Sequence, residues 1–104
     1  MRQITPQELQ QRLAIDSPVI LDVREDWELA QARLPDCVHI PMGQIPARYA
    51  ELDAGRPVVV VCHHGMRSLQ VAQFLEKKGF TDVGNLAGGL DAWAEQVDPS
   101  MPRY

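Results

Sequence analysis

The chain has 104 residues, a formal net charge of -4 and a composition that is 45% hydrophobic and 23% charged. These values predict one folded domain and exclude the class of disordered chains, which combine low hydrophobicity with high charge. The acidic balance also argues against a nucleic-acid or anionic-membrane surface, because both need a basic patch, and no apolar run approaches the ~20 residues of a membrane span.

The first half of the chain alternates predicted helices and strands. Thr5-Pro6-Gln7-Glu8 has the form of a capping box with proline at the first helical position, which predicts a helix over residues 6–14. A β-branched run over residues 19–23 predicts a strand buried on both faces, with Asp22 near its end. Further elements are a helix over residues 25–32, a strand over 38–40 and a helix over 45–52.

The second half contains the strongest strand signal. Val58-Val59-Val60-Val61 predicts a central strand, and apolar residues at helical spacing predict a helix that starts at Ser68 and ends before Gly79. A strand over residues 83–86 and a helix over 90–97 follow, and residues 98–104 are expected to form a frayed tail.

This alternation predicts an α/β domain over residues 1–104, with a mainly parallel sheet and helices on both faces. In such folds ligands bind beyond the carboxyl ends of the strands. Asp22 closes one strand and Cys62 follows another, so we expect both at the same rim. Cys37 is the one other cysteine, which favours a reduced compartment, and with the polar N-terminus we expect a cytoplasmic protein.

The segment after the central strand carries the chemistry. A tight loop between a strand and a helix directs backbone N–H groups inward, and the helix N-terminus adds partial positive charge, so the loop favours an anion. Cys62 at this place is predicted to be a thiolate nucleophile, and Gly65 lets the loop turn. The remaining candidate residues of the loop are His63, His64, Met66, Arg67 and Ser68.

The order strand, Cys-x-x-Gly-x-Arg-Ser, helix resembles the active-site loop of the rhodanese family. Residues 21–25 (Leu-Asp-Val-Arg-Glu) resemble its early Asp-x-Arg segment, and residues 34–41 resemble the Ile-Pro-Gly-Ala-x-x-Ile-Pro segment that follows. Residues 85–93 are similar to its closing Leu-x-Gly-Gly-x-x-x-Trp signature. Two departures are Ala32-Arg33 for the common Gly-His and Asp36-Cys37 for the common Gly-Ala, which leave the substrate preference open.

The resemblance implies a rhodanese-like fold and a sulfurtransferase that needs no cofactor and no metal. Cys62 would carry the sulfur as a persulfide, and the residues from His63 to Ser68 would hold a small anionic donor such as thiosulfate. Cyanide, a thiol or a partner protein would accept the sulfur. Asp22 and Arg24 would support the site, and structural pairing is the simpler reading of both.

Several residues keep a second interpretation. Cys62 could be a small buried hydrophobic residue, and Arg67 could tie the loop to an acidic side chain rather than orient a donor. His63 and His64 could add positive potential or simply be solvated. A metal site that also uses Cys62 and His39 lacks the paired ligand spacing of zinc sites, and a resolving role for Cys37 needs it close to Cys62.

Two other functions compete with sulfur transfer. Dual-specificity phosphatases with this fold also use a cysteine and an arginine, but they place five residues between the two, and this chain places four, His63 to Met66. A non-enzymatic binding or regulatory module occurs where the rhodanese fold has lost its cysteine. The presence of Cys62 and Arg67 disfavours this alternative.

Overall fold

The computed structural model describes residues 1–104 and contains the predicted alternation of strands and helices. The strands are β1 (Arg2–Ile4), β2 (Val19–Asp22), β3 (Val38–His39), β4 (Val58–Val61) and β5 (Val83–Leu86). The helices are α1 (Pro6–Ile15), α2 (Asp26–Gln31), α3 (Ile45–Arg48), α4 (Met66–Lys77) and α5 (Gly89–Gln96). Short 3₁₀ turns cover Met42–Gln44 and Tyr49–Glu51.

All five strands lie in one parallel sheet with the order β1-β5-β4-β2-β3. This arrangement confirms the predicted α/β class with a parallel sheet. β4 lies at the centre, as its sequence predicts, and β2 is its neighbour with Asp22 opposite Val61. Since Cys62 directly follows β4, Asp22 and Cys62 do lie at the same carboxyl edge of the sheet.

The core lies on both faces of the sheet, as the β-branched strand β4 requires. Val58 and Val60 belong to one apolar cluster, which includes residues of α3 and α4. Val59 and Val61 belong to a second cluster, which includes residues of α1 and α5. The alternation of side chains along one strand thus divides the helices between two faces.

The start of α1 confirms the predicted capping box. The Glu8 backbone N–H donates to the Thr5 hydroxyl over 3.1 Å, and the Thr5 N–H donates to the Glu8 carboxylate over 3.3 Å. Pro6 is the first helical residue, where its missing N–H costs nothing.

The structure corrects three local predictions. β1 was not predicted, because only Ile4 of its three residues is buried and the strand depends on pairing with β5. α4 begins at Met66 and not at Ser68, because Gly65 in the left-handed region precedes it. The helix predicted over residues 45–52 ends at Arg48 and continues as the 3₁₀ turn.

The C-terminal residues differ from the expected frayed tail. The Tyr104 hydroxyl contacts Arg24 and Glu28 at 2.7 Å each, and Arg103 forms two hydrogen bonds with Asp91. These side chains return the segment to the carboxyl edge of the sheet. None of the helices combines the length and the apolar character that crossing a bilayer requires.

Candidate active site

Cys62 lies at the base of a tight turn between β4 and α4. Its side chain is only 1% exposed, and Sγ accepts a hydrogen bond from the Gly65 N–H over 3.0 Å. Gly65 has a φ of +94°, and a Cβ there would lie 3.2 Å from the backbone of Leu86 and Gly88. The predicted need for glycine therefore has two physical causes, the left-handed backbone and the close approach of a neighbouring turn.

The N-terminus of α5 holds this loop from the other side. The Leu90 N–H donates to the Cys62 carbonyl over 2.8 Å, and the Asp91 N–H donates to the His63 carbonyl over 3.1 Å. A Cβ on Gly89 would lie 2.3 Å from the His63 oxygen, so only glycine permits this approach. The loop carbonyls face α5, while the Gly65 amide faces the sulfur.

The start of α4 adds further donors near Cys62. By helix geometry, the amides of the first turn, which begins at Met66, have no acceptor within the helix, and they carry partial positive charge. Met66 itself is exposed, with 68% of its surface accessible. The loop thus has the features expected of a site that stabilises a sulfur anion, with the Gly65 amide as the donor in direct contact.

Ser68 and Asn85 form a buried polar pair beside the sulfur. Ser68 Oγ lies 3.2 Å from Cys62 Sγ and is also hydrogen-bonded to Asn85 Oδ1. The Asn85 amide donates to the Gly65 carbonyl over 3.1 Å. Asn85 is not among the residues predicted for the site, although a polar side chain within the short strand β5 is a usable signal, because buried amides need partners.

Arg67 points to an acidic side chain of α2. Its Nη1 and Nη2 donate to Glu28 Oε1 and Oε2 over 2.6 and 2.8 Å. Arg67 holds the pKa of Glu28 at about 2, and Glu28 raises the pKa of Arg67. The sequence did not identify Glu28 as the residue that holds Arg67.

Asp22 and Arg24 form a second, fully buried ion pair below the rim. Arg24 Nη2 lies 2.7 Å from Asp22 Oδ2, and both side chains are 0% exposed. The guanidinium also donates to the carbonyls of Ala32 and Glu28 over 2.7 and 3.3 Å. These contacts join the end of β2 to the middle and the C-terminal end of α2, which agrees with a supporting role.

The two histidines of the loop have different environments. His63 is half-buried, and its ring stacks on Tyr104 with 4.1 Å between centroids. Burial, and next the nearby His64, lower the pKa of His63, so His63 is mainly neutral near pH 7. His64 is exposed, and its Nε2 lies 3.8 Å from Asp91. His63 therefore adds little of the positive potential that the sequence suggested.

The metal site considered from the sequence does not form as described. His39 Nε2 contacts the Arg24 carbonyl at 2.6 Å. The one group of three possible ligands contains His63, His64 and Asp91, with ligand atoms within 4.8 Å of one another. Arg103 already binds both carboxylate oxygens of Asp91, over 2.9 and 3.0 Å, which opposes a metal ion there.

The two cysteines pack on opposite faces of the sheet. Cys62 belongs to the cluster with α4, whereas Cys37 packs against the cluster with α1 and α5. Both are free thiols, and burial raises the pKa of Cys37. This placement does not favour Cys37 as a resolving thiol.

Comparison with known proteins agrees with this geometry. The family model of the rhodanese-like domain matches residues 5–96. The chain belongs to the rhodanese-like domain family. A sulfurtransferase of Allochromatium vinosum is 41% identical over 95% of this chain and 94% of its own length. A thiosulfate sulfurtransferase of Pseudomonas syringae is 36% identical over 85% of this chain and 83% of its own length.

Solved structures support the same assignment. The crystal structure of a rhodanese-like domain protein from Staphylococcus aureus superposes with a TM-score of 0.84 and 35% identity, and the match covers 100% of this chain and 99% of that chain. The predicted rhodanese-like fold is thereby confirmed. Because the relatives are named sulfurtransferases, membership of this family supports a transferase activity.

Proposed function

We propose that the chain is a sulfurtransferase in which Cys62 carries the transferred sulfur as a persulfide. The observation that carries the proposal is the position of Cys62 Sγ, which accepts the Gly65 N–H at the N-terminal end of α4. An amide donor and a helix N-terminus both favour a sulfur anion over a neutral thiol. The names of the relatives agree with this chemistry.

The first half of the reaction loads the cysteine. The Cys62 thiolate attacks the outer sulfur of thiosulfate, a new S–S bond forms, and the original S–S bond breaks. Sulfite leaves with the electron pair of the broken bond. The outer sulfur then remains on Cys62 as a persulfide, whose negative charge the amides of the loop from His63 to Ser68 would stabilise.

The second half unloads the cysteine. A thiophilic acceptor, such as cyanide, a thiolate or a partner protein, attacks the outer sulfur of the persulfide. The Cys62–sulfur bond breaks, its electron pair returns to Cys62, and the acceptor leaves with the sulfur. No net oxidation occurs over the two halves, so the proposed cycle needs no cofactor and no metal.

Arg67 would contribute charge rather than a free binding fork to the donor. Its two terminal nitrogens are already bound by Glu28, so the guanidinium is fixed at the rim of the loop. A fixed cation attracts an anionic donor without the entropy cost of ordering a long side chain. The proposal therefore assigns both functions to Arg67, since it ties the loop to α2 and attracts the donor.

Two alternatives remain weaker. The four residues between Cys62 and Arg67 make a smaller loop than the phosphatases of this fold use, which argues against phosphate ester hydrolysis. A purely binding module has no use for a cysteine in contact with an amide donor and a serine hydroxyl. Sulfur transfer explains both features.

The test is an intact-mass measurement after incubation with thiosulfate in the absence of an acceptor. Wild type and the Cys37→Ser variant should gain one sulfur, about 32 Da, and Cys62→Ser should gain none. Cyanide should then remove the added mass. If wild type stays unmodified with thiosulfate and also with glutathione persulfide, the transfer proposal is wrong.

A further inference from the structure

The Ser68 hydroxyl lies between two acceptors and has one hydrogen. Ser68 Oγ contacts Cys62 Sγ at 3.2 Å on one side and Asn85 Oδ1 on the other. Ser68 is 0% exposed and Asn85 is 1% exposed. Bulk water therefore does not complete either interaction, and every hydrogen must be assigned within the protein.

The orientation of the Asn85 amide follows from its other contacts. Asn85 Nδ2 donates to the Gly65 carbonyl and to Gln3 Oε1, over 3.1 Å each. A backbone carbonyl can only accept, so a rotated amide would place two oxygens in contact at Gly65. Asn85 Oδ1 must consequently face Ser68, and the Ser68 hydroxyl must donate if that contact is to be a hydrogen bond.

The position of the Ser68 hydrogen then depends on the charge of Cys62. When Cys62 is a thiol, its S–H can donate to Ser68 Oγ while Ser68 donates to Asn85, and every group is satisfied. When Cys62 is a thiolate it can only accept, so the Ser68 hydroxyl must rotate towards the sulfur. Asn85 Oδ1 then loses its donor in a buried place.

We infer that Asn85 is a positioning residue that competes with the Cys62 thiolate for the single Ser68 hydrogen. Asn85 thereby favours the neutral thiol and limits the fraction of reactive thiolate, while Ser68 favours the thiolate. The hydrogen stays bonded to Ser68 Oγ in both states and only changes direction. The inference rests on the proposed function only in treating the thiolate as the reacting form.

The same amide also fixes the loop that supplies the amide donor. Its bond to the Gly65 carbonyl holds the residue whose N–H contacts the sulfur. Removal of Asn85 could therefore change the protonation of Cys62 by a first route, through the loop backbone, instead of by a second route, through Ser68. A double-mutant cycle separates these routes, because only the second route needs the hydroxyl.

The test is the pH profile of Cys62 alkylation by iodoacetamide in a Cys37→Ser background, where one thiol reacts. Ser68→Ala should raise the pH midpoint of alkylation, because the thiolate loses a donor. Asn85→Leu should lower it by about half a unit to one unit, the size of one hydrogen bond. In the Ser68→Ala background, Asn85→Leu should leave the midpoint unchanged.

Two further variants keep the test decisive. Asn85→Ala removes the same acceptor without adding a charge, so it should also lower the midpoint, and it serves if Asn85→Leu does not fold. Gln3→Leu removes the other partner of the Asn85 amide without touching Ser68 and should have no effect. Equal shifts with and without Ser68, or a rise with Asn85→Leu, would overturn the inference.

The alkylation test is independent of sulfur transfer. A wild type that takes no sulfur but shows the expected midpoints would refute the proposed function and leave the role of Asn85 intact. If wild type forms the persulfide but the variants show no Ser68-dependent shift of the alkylation midpoint, the role of Asn85 is refuted and the proposed function stands. Circular dichroism of each variant at the pH values used confirms that the folded protein is compared.

Discussion

Arg67 and Glu28 form an ion pair with two parallel hydrogen bonds that joins the first turn of α4 to α2. The pair connects Nη1 to Oε1 at 2.6 Å and Nη2 to Oε2 at 2.8 Å. The Tyr104 hydroxyl donates to the same carboxylate over 2.7 Å. Because Glu28 is 3% exposed, little water competes for these bonds. One carboxylate thus ties the loop, a neighbouring helix and the C-terminal segment together.

The first prediction concerns the acid sensitivity that Glu28 confers. Its pKa of about 2 in the folded protein lies below the ordinary 4.5. Its stabilisation is therefore fully present above about pH 4.5 and is lost as the pH falls towards 2. The free energy of unfolding of wild type should fall by roughly 3 kcal/mol more than that of Glu28→Gln over this window.

Urea unfolding followed by circular dichroism between pH 6 and pH 2 measures this difference. Glu51→Gln is the matched control, because Glu51 also pairs with an arginine, Arg48, but lies on the surface. The free energy of unfolding of that control should depend on pH almost as it does in wild type, since water screens exposed pairs. If both variants reduced the pH dependence of the free energy of unfolding equally, the assigned role of Glu28 would be wrong.

The second prediction separates the hydroxyl of Tyr104 from its ring. Tyr104→Phe removes the bonds to Arg24 and Glu28, and it should lower the free energy of unfolding by about 1–2 kcal/mol. Tyr104→Ala also removes the ring that stacks on His63, the residue next to Cys62. Because the loop then loses this contact, the variant should open more readily and Cys62 should be alkylated faster. Urea unfolding and the alkylation rate at one pH measure the two effects.

The ionisation of the Tyr104 hydroxyl allows a spectroscopic test of the same contacts. Burial raises the pKa of Tyr104 to about 12. Tyr104→Phe should therefore remove a late step from the ultraviolet titration of the tyrosines, provided that the protein stays folded. A C-terminal segment that is frayed in solution would give an ordinary tyrosine titration and no difference in alkylation between the Phe and Ala variants.

Much of the fold and the loop could be predicted, because their signals are local. β4 is a run of four valines, and the position of Gly65 between Cys62 and Arg67 identifies a tight turn before a helix. The bounds of β4 and β5 agree with the prediction. Where another predicted end differs from the structure, it differs by one or two residues, except that the helix predicted over residues 45–52 ends four residues early, at Arg48.

The partners within the site could not be predicted, because they depend on distant contacts. Glu28 lies 39 residues from Arg67, and Tyr104 lies 80 residues from Arg24. No periodicity links residues at such separations. Trp27 is 60% exposed and contacts the ring of Tyr104 edge-on, which is another contact between residues far apart in the chain.

The third prediction concerns Gly89, where α5 approaches the loop. In Gly89→Ala the new Cβ would meet the carbonyls of Cys62 and His63 at 2.6 and 2.3 Å, and the φ of +65° is unfavourable for alanine. The helix must move away and lose its two bonds to the loop, which should cost about 2–4 kcal/mol and most of the sulfur transfer.

Gly43→Ala is the matched control for this substitution. A Cβ at Gly43 meets no atom within 4 Å, so stability and sulfur transfer should stay close to wild type. Thermal unfolding and the rate of thiocyanate formation measure both variants. Normal transfer by a folded Gly89→Ala protein would show that the contact between α5 and the loop does not shape the site.

The last prediction assigns Asp22 and Arg24 to the support of the rim. Both side chains are 0% exposed, so removing one leaves an unpaired buried charge. Asp22→Asn and Arg24→Met should each lower the free energy of unfolding by about 3–5 kcal/mol, and the double variant should lose less than their sum. Neither side chain contacts Cys62, so the folded fraction should keep the wild-type KM for thiosulfate. A raised KM at normal stability would instead place this ion pair in donor binding.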